Sequence, residues 1–301
     1  MFDPNVLLLI FCIYMAILFL IATWAEERSA HGQNPANNPL AYSLSLTIIF
    51  TSWTYFGSIG RAAVAGMSFL AFYLGITASV TLWWIILRRM VRVKNAYRIT
   101  SLADFLSARY GKSRSVAALA TAISILIAVP YLALQLKAIF SAFDLLSLPG
   151  RHLNAPTLRG IVVLSLIALT ILLGARRLDP TERHPGMVLT VAFEAIVKLG
   201  AFLLAGLFIT HFLFGGFAEI FSRLSQVPFS RLIGTQSLSP NYFAAWTSNL
   251  VISVSAALLL PRQFHMAVIE NSEEAHIKTA MWLVPLYAFS ITFLAFPIAM
   301  V

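Results

Sequence analysis

Apolar runs long enough to cross a bilayer constrain this chain more than any other feature of its sequence. About 20 apolar residues in a helix span the ~30 Å hydrocarbon layer. Eight candidate segments lie at roughly 6–24, 40–60, 66–87, 116–143, 160–175, 187–213, 243–261 and 281–301. The chain is 59% hydrophobic and 11% charged, more apolar than the surface of a soluble protein of 301 residues requires. The ~10-residue alternating segments of a membrane β-barrel are absent. The expected fold class is therefore an all-α polytopic membrane protein. The first run has no basic residue ahead of it, carries Asp3 instead, and outlasts the apolar core of a secretory signal, so it reads as an uncleaved span. The single cysteine, Cys12, excludes an intrachain disulfide and is expected to be a lipid-facing or packing residue.

The net charge of +9 acquires meaning from its placement. Of 21 Lys and Arg residues, fourteen fall in one set of alternate loops, and eight of those lie between Arg88 and Arg114. Five fall in the other set, and Lys137 and Lys198 lie inside spans. The richer set belongs in the cytoplasm, which puts the N-terminus outside. The basic stretch 88–114 is then a topology determinant, and no nucleic-acid partner is expected. The loop 214–242 contains "FAEIFSRL", a short interfacial helix candidate. The loop 262–279 contains the charged, helix-compatible "ENSEEAHIK".

Polar groups inside spans are costly and mark candidate sites. The second span reads "IIFTSWTYFGSIG" over residues 48–60, with Ser43, Ser45 and Thr47 just before it. Two readings stand side by side: hydroxyls bonding back to their own helix, and a broken helix lining a solute cavity, with Trp53 and Gly57 marking the bend. Glu194 and Lys198 are four apart in the sixth span and share one helix face. An unpaired charge there costs at least ~2.5–3.5 kcal/mol. The pair is open between a self-satisfied structural bridge and a gate or ion-coupling element. In the fourth span Pro130 removes a backbone donor and is expected to kink the helix. Tyr131 and Gln135 share a face and are open between cavity lining and interhelical hydrogen bonding. Lys137 points elsewhere and snorkels outward. The six histidines form no ligand-like pair, and no H-E-x-x-H, P-loop, G-x-S-x-G or Rossmann pattern is present. No enzymatic activity and no cofactor are expected of this chain.

In combination, "SWTYFGSIG", "GMSFLAFYLG" and "ITSLADFLSARYGKS" resemble the sodium/solute symporter family. The loop motif is carried by Thr100, Leu102, Asp104, Phe105, Arg109 and Tyr110. The segments Val129–Ile139, Leu178–Gly186 and Leu260–Asn271 look most like the transporter-like N-terminal domain of CbrA-type sensor histidine kinases. The resemblance implies a LeuT-type inverted repeat, here incomplete. It has an extra N-terminal helix at 6–24, a first repeat at about 40–213 and the start of a second at about 243–301. It implies ion-coupled transport of a small polar solute, an amino acid such as histidine, across a bacterial inner membrane. Cytoplasmic kinase domains would follow in the full-length chain. The alternative is a solute sensor that signals without significant transport. Carried over by position, Trp53, Thr54, Gly57, Tyr131 and Gln135 would bind substrate. The carbonyls of Thr47 and Phe50, with Thr51, Glu194 and Lys198, would bind or couple the ion, Na⁺ or H⁺. This sequence departs from the family pattern in three places. Ile49 stands where members that carry proline have an acid. Thr51 replaces the family serine. Small residues near Ser253 and Ala257 replace an aromatic pair ahead of Pro261.

Overall fold

The computed structural model describes residues 1–148, 155–172, 183–228 and 241–300. Among them the regular structure is helical. In chain order the helices are α1 Pro4–Ala30, α2 Pro39–Ser45, α3 Ser58–Ala65, α4 Leu70–Thr81, α5 Ile86–Tyr97, α6 Leu102–Arg109 and α7 Arg114–Leu146. They continue with α8 Ala155–Thr170, α9 Pro185–Phe208, α10 Phe217–Gln226, α11 Tyr242–Leu259 and α12 His276–Met300. Among the described residues, six helical stretches are long and apolar enough to cross a membrane: Pro4–Ala30, Ser58–Thr81, Arg114–Leu146, Pro185–Leu213, Tyr242–Leu259 and His276–Ala295. Pro39–Ile49 and Thr157–Thr170 are shorter apolar helices. The chain is an all-α membrane protein.

Several expected boundaries move. The second span is not one helix. Its α2 tightens into a 3₁₀ turn, Leu46–Ile49, becomes extended at Phe50, and resumes through a π turn, Trp53–Gly57, into α3. Gly66, at φ +54°, ends α3, so Ser58–Thr81 is two helices rather than one rod. The basic stretch 88–114 is not a loop, because α5 and α6 lie within it. Leu87, Met90, Val91 and Lys94 bury one face of α5 at i, i+3, i+4 and i+7, a period that the surrounding arginines mask in the sequence. Pro130 lies inside α7, which continues on both sides of it. The 262–279 loop is not solvated throughout: Met266, Ala267, Val268, Glu270 and Asn271 are buried, and helix α12 starts only at His276. The stretch "FAEIFSRL" does form a short helix, α10. Parts of the fifth span (173–175), of Leu178–Gly186 (178–182) and of the 214–242 loop (229–240) lie outside the described residues.

One compact unit comprises residues 1–38 and 97–190. The Phe2 N–H donates to the Leu146 carbonyl at 2.8 Å, and the Leu148 N–H returns to the Phe2 carbonyl at 3.0 Å, so the N-terminus is stitched to the end of α7. Leu7, Phe143, Leu158 and Val162 form the core where α1, α7 and α8 meet, with Phe11 edge-on to Phe143. The Thr100–Asp104 part of the loop motif is a helix cap. Ser101 Oγ accepts the Asp104 N–H at 3.1 Å, and the Asp104 carboxylate accepts the Thr100 N–H at 3.2 Å. At the start of α9, Glu26 accepts the Gly186 N–H at 2.9 Å, an anion at a helix N-terminus. A Cβ on Gly186 would sit 2.8 Å from the Ala22 carbonyl, so glycine permits this approach.

The other unit comprises residues 39–96 and 191–301. Between apolar helices in lipid, close van der Waals packing and interhelical hydrogen bonds replace the hydrophobic effect as the source of cohesion. Both are present here. Gly75 lets α4 cross α11 at backbone contact: an added Cβ would lie 2.6 Å from the Leu250 carbonyl and 2.6 Å from Ser253 Cβ. Helix α12 packs on α2, α3 and α4. The Tyr287 hydroxyl donates from α12 to the Ala195 carbonyl of α9 at 3.0 Å.

Candidate functional site

The break in the second span brings buried polar groups into the second unit's interior: Ser45, Thr47, Thr54 and Ser58 are all buried there. Phe50 takes φ −85° and ψ 102°, which removes its carbonyl from the helical ladder. The Thr54 N–H, which would donate to the Phe50 carbonyl in a continuous helix, donates to the Thr51 carbonyl instead at 2.8 Å. The freed Phe50 oxygen receives Lys198 Nζ at 2.9 Å, and Nζ also lies 3.2 Å from Glu194 Oε1. The intramembrane pair is thus formed and is joined to the break. The Phe50 ring, 1% exposed, stacks between Tyr73 and Tyr287 with centroids 5.9 and 5.2 Å away. Ser58 Oγ shares a 2.6 Å hydrogen bond with the Tyr73 hydroxyl. Thr54 is buried beside that same hydroxyl, with its Oγ1 outside hydrogen-bonding geometry.

A second break lies in the seventh span. Helix α11 ends at Leu259, Leu260 is extended (φ −61°, ψ 133°), and the chain re-enters a helical turn, Pro261–Phe264, followed by a π turn, His265–Ile269. Pro261 supplies the local cause, because a residue before proline is driven out of the helical region. From this turn Gln263 Nε2 donates to the Leu46 carbonyl at 3.0 Å, in the 3₁₀ turn just ahead of the first break. Gln263 is 1% exposed, and its Oε1 has no hydrogen bond among the described residues.

The segment after the second break is gripped by α5. Lys94, 7% exposed, donates to the carbonyls of Ile269 (3.3 Å) and Asn271 (3.1 Å). Arg88 and Arg92 both bind Glu274, at 2.6 and 2.9 Å, and Trp84 lies under the Arg88 guanidinium and the Lys278 ammonium. The hydrogen bonds from Arg92 and then Arg88 hold the Glu274 carboxyl at about 2, below its ordinary 4.5. Their stabilising effect is complete above the ordinary value and fades as pH falls toward 2. His265 Nε2 and Glu270 Oε1 are 3.0 Å apart within the same segment.

The residues proposed from the sequence divide between the units. Thr47, Phe50, Thr51, Thr54, Gly57, Glu194 and Lys198 belong to the second unit. Tyr131 and Gln135 belong to the first, half-buried on α7. The Trp53 side chain lies outside those described. The Thr47 hydroxyl bonds back to the Leu44 carbonyl at 2.6 Å, and Ser43 and Ser45 do likewise to Pro39 and Tyr42. Back-bonding therefore accounts for these three hydroxyls. Gly57 has helical angles (φ −74°, ψ −43°) and caps α3, so it does not mark the bend. Sequence reasoning passed over Tyr73, Tyr287 and Gln263, and it counted Lys94 only as a topology charge. A buried tyrosine or glutamine within an apolar run is the signal that points to such residues.

No family model, curated protein or solved structure matches this chain.

Proposed function

We propose that the chain is a solute-binding membrane module of the LeuT-type inverted-repeat class, with eight membrane segments and its N-terminus outside the bacterial inner membrane. It carries out ion-coupled secondary transport of a small polar solute of the amino-acid class, histidine among the candidates. One observation carries the reading: two apolar spans are broken, at Phe50–Thr51 and at Leu260, and the Gln263–Leu46 hydrogen bond joins them. Discontinuous helices in corresponding positions of two halves are where secondary transporters bind solute, because freed N–H and C=O groups replace the solute's hydration. Thr54 Oγ1 and Gln263 Oε1 are buried polar atoms that a polar ligand would satisfy.

A sensor reading uses the same site. Because Lys94, Arg88 and Arg92 grip the segment that follows the second break, a shift at Leu260 passes to α5 and from there to any kinase in the same full-length chain. Proteoliposomes containing the full-length protein separate the two readings. Transport predicts accumulation of at least one amino acid driven by an imposed ion gradient. Binding without accumulation selects the sensor, and the absence of both binding and accumulation would contradict the proposed site.

A further inference from the structure

We propose that the Lys198 ammonium is a tethered cation that takes the place of a free monovalent metal ion at the Phe50 break, so that this protein needs no Na⁺ there. The inference rests on the reading of that break as a functional site. It concerns the cation at the site and not the solute.

A carbonyl released from a helix inside a membrane must find a donor or a cation. The Phe50 oxygen finds Nζ at 2.9 Å, a charged donor on a different helix 148 positions away in the sequence. A monovalent metal ion would be drawn to this oxygen by the same dipole. The ammonium already occupies that direction, and its stem is held in α9, where Tyr287 fixes the neighbouring Ala195 carbonyl.

Charge balance at the break also leaves no place for a second cation. Glu194 is the one Asp or Glu within residues 39–81, 185–213, 242–259 and 276–300. Its carboxylate lies 3.2 Å from Nζ, so the pair is neutral as built. A bound Na⁺ would add an uncompensated charge next to an ammonium of the same sign, in a medium that screens charges poorly. Ile49, which is 4% exposed and adjoins the break, brings no second carboxylate. Metal ion and lysine are therefore alternatives at this site.

The test needs no solute. Thermal unfolding of the purified full-length protein in detergent is compared in NaCl and in choline chloride at equal ionic strength. The wild type is expected to melt at the same temperature in both. Lys198→Met should lose on the order of 5 °C in choline, and NaCl should return a large part of that loss, because Na⁺ now fills the vacated place beside Glu194. Lys198→Arg keeps the charge and should stay insensitive to the choice of salt. If Lys198→Met does not fold, Lys198→Gln retains an N–H for the carbonyl without the charge, and the same gain in NaCl is expected. A wild type stabilised by Na⁺ over choline overturns the proposal. So does a lysine variant destabilised equally in both salts, which would make Lys198 a structural prop. Sodium-stimulated uptake by the wild type would overturn it while supporting transport, and absence of any uptake leaves this readout intact.

Discussion

Replacing Gly75 by leucine is expected to abolish the folded protein. Helices α4 and α11 cross with no room for a side chain at this position. The first added carbon would meet the Leu250 carbonyl and Ser253 Cβ at 2.6 Å, and the Val254 nitrogen at 3.2 Å. Two of these three atoms are backbone, so no rotamer change relieves the clash, and the helices must separate. Overpacking a well-filled site costs roughly 1–3 kcal/mol even where side chains adjust. Here, Gly75→Ala alone should reach the upper end of that range, and Gly75→Leu should exceed it. Gly206 gives the contrast, because its added Cβ would meet the end of the Leu294 side chain, which can rotate away. Gly200 has nothing within 4 Å, and Gly200→Ala should be neutral or stabilising by about 0.5–1 kcal/mol. Monodispersity and melting temperature in detergent rank the variants, with Gly75→Leu last. A Gly75→Leu protein that melts like the wild type would mean that α4 and α11 do not cross as described.

Lys94→Met should be the most damaging change among the basic residues between Arg88 and Arg114. The sequence offers no way to separate Lys94 from its neighbours, but burial does. Its ammonium satisfies the carbonyl of Ile269, which ends the π turn after the second break, and that of Asn271 two residues on, at 3.3 and 3.1 Å, and it is 7% exposed. Methionine keeps the stem and removes the donor, and each stranded buried carbonyl costs about 1–3 kcal/mol. The nearby Glu274 holds two arginines, yet all three groups are partly open to water, where ion pairs contribute little. Glu274→Gln should therefore leave the melting temperature close to wild type while Lys94→Met lowers it by several degrees. Limited proteolysis gives the local readout, since release of residues 265–275 should expose that segment to cleavage in Lys94→Met first. Equal sensitivity of the two variants would contradict the ranking.

The helices were legible in the sequence because membrane spans announce themselves by length and hydropathy. What the sequence left open was set by partners distant along the chain. The polar content of residues 48–60 signalled an irregular helix, and the helix is irregular. Its bend nevertheless sits at Phe50, ahead of the glycine that attracted attention, because Lys198 and Gln263 stabilise the freed carbonyls there. Gly57, open to any conformation, is simply helical. The second break was readable in principle, since Pro261 disfavours helix at Leu260. The arginines of α5 concealed an amphipathic period that only burial reveals. The i, i+4 spacing of Glu194 and Lys198 correctly implied a pair, but nothing in that spacing pointed to Phe50.

Equilibrium binding of radiolabelled amino acids, histidine included, to the purified protein tests most directly whether the first break is a solute site. Binding is common to the transport and sensor readings, so the result does not depend on choosing between them. Thr54→Val is the paired variant, because it keeps the shape of a buried residue and removes a hydroxyl beside Tyr73 that makes no well-formed hydrogen bond among the described residues. The predicted result is saturable binding of at least one amino acid to the wild type, weakened about tenfold in Thr54→Val, in line with the loss of one hydrogen bond. Absence of saturable binding to a folded, monodisperse wild type, or equal affinity in Thr54→Val, would contradict the account.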